Sequence, residues 1–146
     1  MRIVGEWRLC DDGITRPTVK AKVQAADGTF HVEYFLVDSC ADRTVLSADS
    51  LAKLAFSGTP APDNIALQGI GGVRGYVLFQ TVLEFTRDDG GAAHVRGELA
   101  AFTDPTATDL SILGRDVLNN FDVILSRRRN EVLLLAPNHH YRVEQS

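Results

Sequence analysis

Between Thr18 and Gln24 apolar and polar residues alternate, the two-residue period of a strand with one buried face. Asp27-Gly28 reads as a hairpin turn, and Phe30 to Val37 runs back from it, becoming continuously apolar at Phe35-Leu36-Val37. The hairpin delivers Asp38 to a strand end. Thr44-Val45-Leu46 reads as a short buried strand, and Ser47 as the cap of a helical turn from Ala48 to Leu54. Phe56 to Asp63, with Pro60 and Pro62, reads as a loop. Ile65-Ala66-Leu67 and the strand Tyr76 to Phe85 flank Gly69-Ile70-Gly71-Gly72, which predicts a second hairpin with a glycine-rich tip. Gly90-Gly91 turns the chain into a strand from His94 to Phe102. Helical spacing stands out once, at Arg115 to Phe121, directly after Ile112-Leu113-Gly114. Val123 to Leu125 and Val132 to Leu135 form a last hairpin, whose turn carries Arg127-Arg128-Arg129. Short strands, turn signals and one short C-terminal helix predict an all-β, barrel-like or sandwich architecture.

A chain of 146 residues with 45% hydrophobic content is long enough for one sizeable core. We expect a single domain over residues 1–146, its core spanning about 18–135 with an extension at each end. The net charge of -4 argues against nucleic acid or an anionic membrane as partner, since either selects a basic excess. The triple arginine is a solvated turn in this reading. Without a membrane-length apolar span or a leader-like N-terminus, the expected location is the cytoplasm. Cys10 and Cys40 do not make a disulfide framework, no Cys/His spacing suggests a metal site, and His139-His140 reads as an exposed pair. No cofactor is expected.

The chemistry concentrates at Asp38. A carboxylate beside a buried strand must be hydrogen-bonded, paired or protonated to offset its desolvation, and the small residues Ser39, Cys40 and Ala41 after it let backbone N–H groups approach. The blocks Phe35-Leu36-Val37-Asp38-Ser39-Cys40-Ala41-Asp42 with Thr44-Val45-Leu46, then Gln68-Gly69-Ile70-Gly71-Gly72, then Ile112-Leu113-Gly114-Arg115-Asp116-Val117-Leu118 resemble, in order, those of the retropepsin-like aspartic proteases of retroviruses and their bacterial relatives.

That resemblance implies a closed, barrel-like fold with a flap hairpin, and peptide hydrolysis by two aspartates sharing one proton and one water. Only Asp38 fits the apolar-Asp-Ser/Thr-small pattern: Asp104 precedes Pro105, and Asp11-Asp12 and Asp88-Asp89 sit in polar turns. The second acid would then be Asp38 of another copy, making the enzyme a homodimer acting on peptide or protein. By the same resemblance, Ser39 would meet the partner chain beneath the aspartates. Asp42 and Arg115 would pair at the floor of the site through a partly buried bidentate bond. Gly69, Ile70, Gly71 and Gly72 would form the flap, and Leu110 and Ile112 the pocket wall. The departure is Cys40, where the family has glycine. It leaves open a second reading, a catalytically weak or inactive peptide-binding or dimerisation module. A thiol enzyme would need a histidine base, and His31, His94, His139 and His140 have no visible claim on Cys40.

Overall fold

The structure, a computed structural model, describes residues 1–54, 59–60, 67–69, 72–104 and 110–137, with the backbone alone at 59–60, 67–69 and 72–74. In chain order its elements are β1 (Arg2–Val4), β2 (Glu6–Leu9), β3 (Thr15–Gln24), β4 (Phe30–Val37), β5 (Val45–Leu46), α1 (Ala48–Leu54), β6 (Thr59–Pro60), β7 (Leu67–Gly69), β8 (Gly72–Arg74), β9 (Tyr76–Thr86), β10 (Ala92–Phe102), β11 (Ser111–Leu113), α2 (Arg115–Leu118), β12 (Asp122–Ser126) and β13 (Glu131–Leu135). The expected all-β class holds.

The main sheet runs β2-β3-β4-β11-β5-β10-β9-β6, and β3 also pairs with β9 through Lys22↔Glu84 and Val23↔Leu83. That second pairing closes the strands from β3 round to β9 into a barrel. The alternation seen in the sequence sets the faces: Val19, Ala21 and Val23 of β3 and Phe35 and Val37 of β4 point inward, while Lys20 and Lys22 point out. Phe35, Leu46, Leu83, Phe85 and Leu113 are among the fully buried side chains. Each contributes roughly 1.5–3 kcal/mol through burial.

β10 alternates in burial over its first residues and then buries Leu99 to Phe102 without interruption. There it is covered on both faces: Leu99 and Ala101 join the main core, while Ala100 and Phe102 join a smaller cluster with Val45 and Tyr76. The local pattern is therefore one of a fully enclosed strand.

Two N-terminal strands absent from the sequence reading join two different sheets. β1 pairs with β13 in a smaller sheet of order β1-β13-β12, and β2 pairs with β3. Gly5 makes the crossing between them: its N–H donates to the Val132 carbonyl at 2.7 Å, and a Cβ there would lie 2.3 Å from the Thr18 carbonyl oxygen. Trp7 adds a second tie, its indole N–H donating to the carbonyls of Ser126 (3.2 Å) and Glu131 (3.1 Å).

Two helices form. α1 is capped as expected, the Ser50 N–H donating to the Ser47 hydroxyl at 3.2 Å. α2 is shorter than the spacing over 115–121 suggests, because Asn120 and Phe121 turn back with N–H bonds to Val117 (3.1 Å) and Leu118 (2.9 Å). The glycine-rich hairpin pairs β7 with β8 in the register Leu67↔Arg74 to Gly69↔Gly72, so β8 rather than the long β9 is the partner strand. Most of the loop expected from Phe56 to Asp63, Ile65, the tip residues Ile70 and Gly71, and His139-His140 lie outside the described residues.

Candidate active site

β4 carries the candidate carboxylate because its ladder continues one residue beyond the strand. β11 lies parallel to it, Ser111↔Phe35 to Leu113↔Val37, and the Asp38 N–H donates to the Leu113 carbonyl at 3.2 Å. The chain then turns sharply: the Ala41 N–H donates to the Asp38 carbonyl (3.2 Å), and the Cys40 N–H to Asp38 Oδ1 (2.9 Å). Asp38 is half-buried, with Ser39 and Cys40 exposed beside it. Its carboxylate thus has one fixed donor from its own loop and an open side.

The next residues are clamped to the C-terminal part of the barrel. The first two N–H groups of α2, from Arg115 and Asp116, donate to the carbonyls of Ala41 (2.8 Å) and Asp42 (3.2 Å). Asp42 and Arg115 do form an ion pair, through Oδ1 and Nη2, but their side chains are 79% and 52% exposed. The contact is an open, single-oxygen pair in the isolated chain, and such pairs contribute about 0–1 kcal/mol.

A stronger tie, to which the sequence reading gave no role, lies underneath. Thr44 is fully buried, and its hydroxyl donates to Asp116 Oδ1 at 2.7 Å while accepting the Gly114 N–H at 3.0 Å. The Thr44 N–H also points at the Asp116 carboxylate, 2.9 and 3.0 Å from its two oxygens. Gly114 is required by close approach, since a Cβ would lie 2.4 Å from both the carbonyl carbon and oxygen of Arg43. Asp116 stands in the Gly-Arg-Asp block quoted above. Only its partner, 72 residues away, was hidden.

Leu110 is 41% exposed and Ile112 half-buried; Ile112 lies opposite both Leu36 and Val45. Between them Ser111 turns inward and accepts the Ser47 N–H at 2.9 Å. Gly69 and Gly72 are register partners at the described end of the β7–β8 hairpin. Cys40 does not adopt a positive φ, so its Cβ is held without backbone strain. His31 contacts the Thr29 hydroxyl at 3.2 Å and His94 the Glu84 carboxylate at 3.1 Å, and among the described residues no histidine is bonded to the Cys40 thiol. Among the described residues no group of three or more metal-ligating side chains gathers, and no helix is long and apolar enough to cross a membrane.

Residues 14–126 match the family described as retroviral aspartyl protease. A search of curated protein sequences finds no match. Among solved structures, the fold is similar to a retropepsin-like aspartic protease from Rickettsia conorii, with TM-score 0.59, 16% identity, and coverage of 92% of this chain and 90% of that one. It is also similar to the retroviral protease-like domain of Ddi1 from Leishmania major, with TM-score 0.51, 14% identity, and coverage of 86% and 98%. The EIAV protease complexed with the inhibitor HBY-793 aligns at TM-score 0.47 and 24% identity over 71% of this chain and 86% of its own. The family match takes in β3 to β12, including the Asp38 turn and its clamp on α2, and the chain belongs to the retroviral aspartyl protease family.

Proposed function

We propose that the chain is a homodimeric aspartic endopeptidase whose two Asp38 carboxylates, one from each copy, activate a water for attack on a peptide bond. The observation that carries this reading is the Asp38 turn: a half-buried carboxylate with one loop N–H fixed on Oδ1, exposed small residues beside it, and a hydrogen-bonded clamp behind it. Two such carboxylates a few Å apart hold one proton between them, because both cannot stay ionised at that distance. The ionised aspartate takes a proton from the water as its oxygen bonds to the carbonyl carbon. The protonated one gives its proton to the carbonyl oxygen. Collapse of the resulting tetrahedral diol breaks the C–N bond, and the amine leaves with a proton returned from the pair.

In this reading Ser39 stands at the two-fold axis, and Gly69, Ile70, Gly71 and Gly72 cover an extended peptide. Leu110 and Ile112 contact its side chains, and Asp42 with Arg115 borders the floor. A second reading, a peptide-binding or dimerisation module without hydrolysis, is favoured by one observation, the exposed Cys40 side chain two residues from Asp38.

Asp38→Asn tests the proposal, since it keeps shape and removes the acid. Sedimentation at micromolar concentration should give twice the chain mass for both proteins. Hydrolysis of an unstructured protein should occur with wild type and vanish in the variant. A folded monomer, or activity retained by Asp38→Asn, would refute the mechanism, and a wild-type dimer that binds peptide without cleaving it would establish the second reading.

A further inference from the structure

Alternation along β4 leaves one face of the strand turned away from the core. Phe30 is 40% exposed and Val32 58%, and Tyr34 and Leu36 continue the row half-buried. The row runs toward Asp38, six residues or about 20 Å of extended chain from Phe30 to Leu36. At its inner end Leu36 lies beside Ile112 of the candidate pocket. An apolar row on the outside of a barrel is ordinarily broken by charge, because exposed hydrophobic strips promote association.

Here the charges flank the row and are all cationic at its centre. Lys20 lies opposite Tyr34 in the β3–β4 register, and the Arg8 guanidinium sits 3.8 Å over the Tyr34 ring. Stacking fixes the plane of Arg8, and among the described residues its N–H edge has no partner, a fork that matches a carboxylate. Two other cations near this face are already satisfied, Lys22 by Glu84 at 2.8 Å and Arg16 by Asp12 at 2.6 Å. Among the described residues neither Arg8 nor Lys20 has an acidic partner. On a chain of net charge -4, two cations without an acidic partner among the described residues, beside a continuous apolar row, are a local inversion of charge.

We propose that this outward face of β3 and β4 extends the cleft and holds a segment of the polypeptide substrate outside the bond to be cut, extended, with acidic residues interleaved among apolar ones. The apolar side chains of the segment cover Phe30, Val32 and Leu36, and its carboxylates meet Arg8 and Lys20. Leu36 at the inner end of the row is the register partner of Ile112, and Asp38 follows two residues later, so an extended segment lying along the row leads toward Asp38. The assignment of the segment as substrate rests on the peptidase reading above.

The test uses the full-length Asp38→Asn protein and two fluorescein-labelled peptides that share an apolar core and differ in one flank, alternating Glu-Leu in one and Lys-Leu in the other. Fluorescence anisotropy should show the acidic peptide bound about tenfold more tightly, a preference lost in 0.5 M salt and abolished by Arg8→Glu with Lys20→Glu. Both positions are exposed, so the double variant should keep its fold by circular dichroism. Val32→Asp should weaken the acidic peptide while leaving sedimentation unchanged. Equal binding of both peptides, or a preference that survives charge reversal, overturns the proposal. So does dissociation of a dimer by Val32→Asp, which would make this face an interface between copies. Wild-type cleavage is scored separately: an acidic preference without cleavage refutes the peptidase reading and keeps the docking face, and cleavage without preference does the reverse.

Discussion

Thr44→Val replaces a hydroxyl by a methyl of nearly equal size at a fully buried position, so its effect measures hydrogen bonding rather than volume. Two bonds are lost. The Thr44 hydroxyl no longer donates to Asp116 at 2.7 Å, a bond to a charged acceptor of roughly 1.5–3 kcal/mol. The Gly114 N–H, 3.0 Å from the same hydroxyl, is left buried without an acceptor, which costs roughly 1–3 kcal/mol. The extra methyl recovers about 0.8 kcal/mol of apolar burial, and the Thr44 N–H keeps its place on the Asp116 carboxylate. A net loss of about 3 kcal/mol follows, equivalent to a Tm lower by about 10 °C for a chain of this size. Thermal unfolding of wild type and variant at one protomer concentration reads it directly, the concentration being fixed because dimerisation also shifts Tm. Asp42→Ala, which removes only the open pair with Arg115, should change Tm by less than about 2 °C. A Thr44→Val protein as stable as wild type, or an Asp42→Ala protein that loses more, would refute the assignment of the clamp to Thr44 and Asp116.

Other outcomes follow from single features. Gly114→Ala should lose about 3 kcal/mol or more, because its Cβ would strike the Arg43 backbone, whereas Gly97→Ala, with nothing within 4 Å, should gain about 0.5 kcal/mol in the same denaturant titration. Glu33 bonds the Ser50 hydroxyl, and burial holds its carboxyl above the usual glutamate range against the opposing pull of the Tyr34 N–H, the Lys53 charge and Ser111. Its folded state therefore binds the proton more tightly than the unfolded chain, and wild type loses stability as pH rises from the ordinary glutamate value through the raised one. Glu33→Gln should then have the higher Tm at pH 7, the difference closing below about pH 4; an unchanged difference across that range would contradict the assignment. Cys40→Gly should raise kcat/KM by up to about tenfold if the exposed side chain crowds the substrate, and equal or lower activity would remove that restraint.

The sequence exposes the parts of this fold whose cause is local. β4 and its turn follow from an alternating run that ends in Asp38-Ser39-Cys40, and the β12–β13 hairpin from two apolar runs around a polar turn, closed by Asn130 at φ 57°. What the sequence hides is set by distant chain. β1 and β2 are three and four residues long on either side of Gly5, too short for periodicity to register, and their partners are Leu133 to Leu135 and Thr15 to Thr18. The Asp42 and Arg115 pair was legible as a pair of charges, but its exposure was not. Thr44 reads locally as the start of a small strand, and only the fold brings Asp116 beneath it.

That clamp also orders events in time. Asp38 and its turn lie in the first third of the chain, yet the groups that hold the turn, Leu113, Gly114, Arg115 and Asp116, are made more than seventy residues later. During synthesis the aspartate loop therefore has no backing until Leu113 to Asp116 have been made. In the proposed peptidase, an unfinished nascent chain therefore carries an aspartate loop without its clamp. Released chains that end before Leu110 should leave the Asp38 turn open to a probing protease, and released chains that end after Ala136 should protect it.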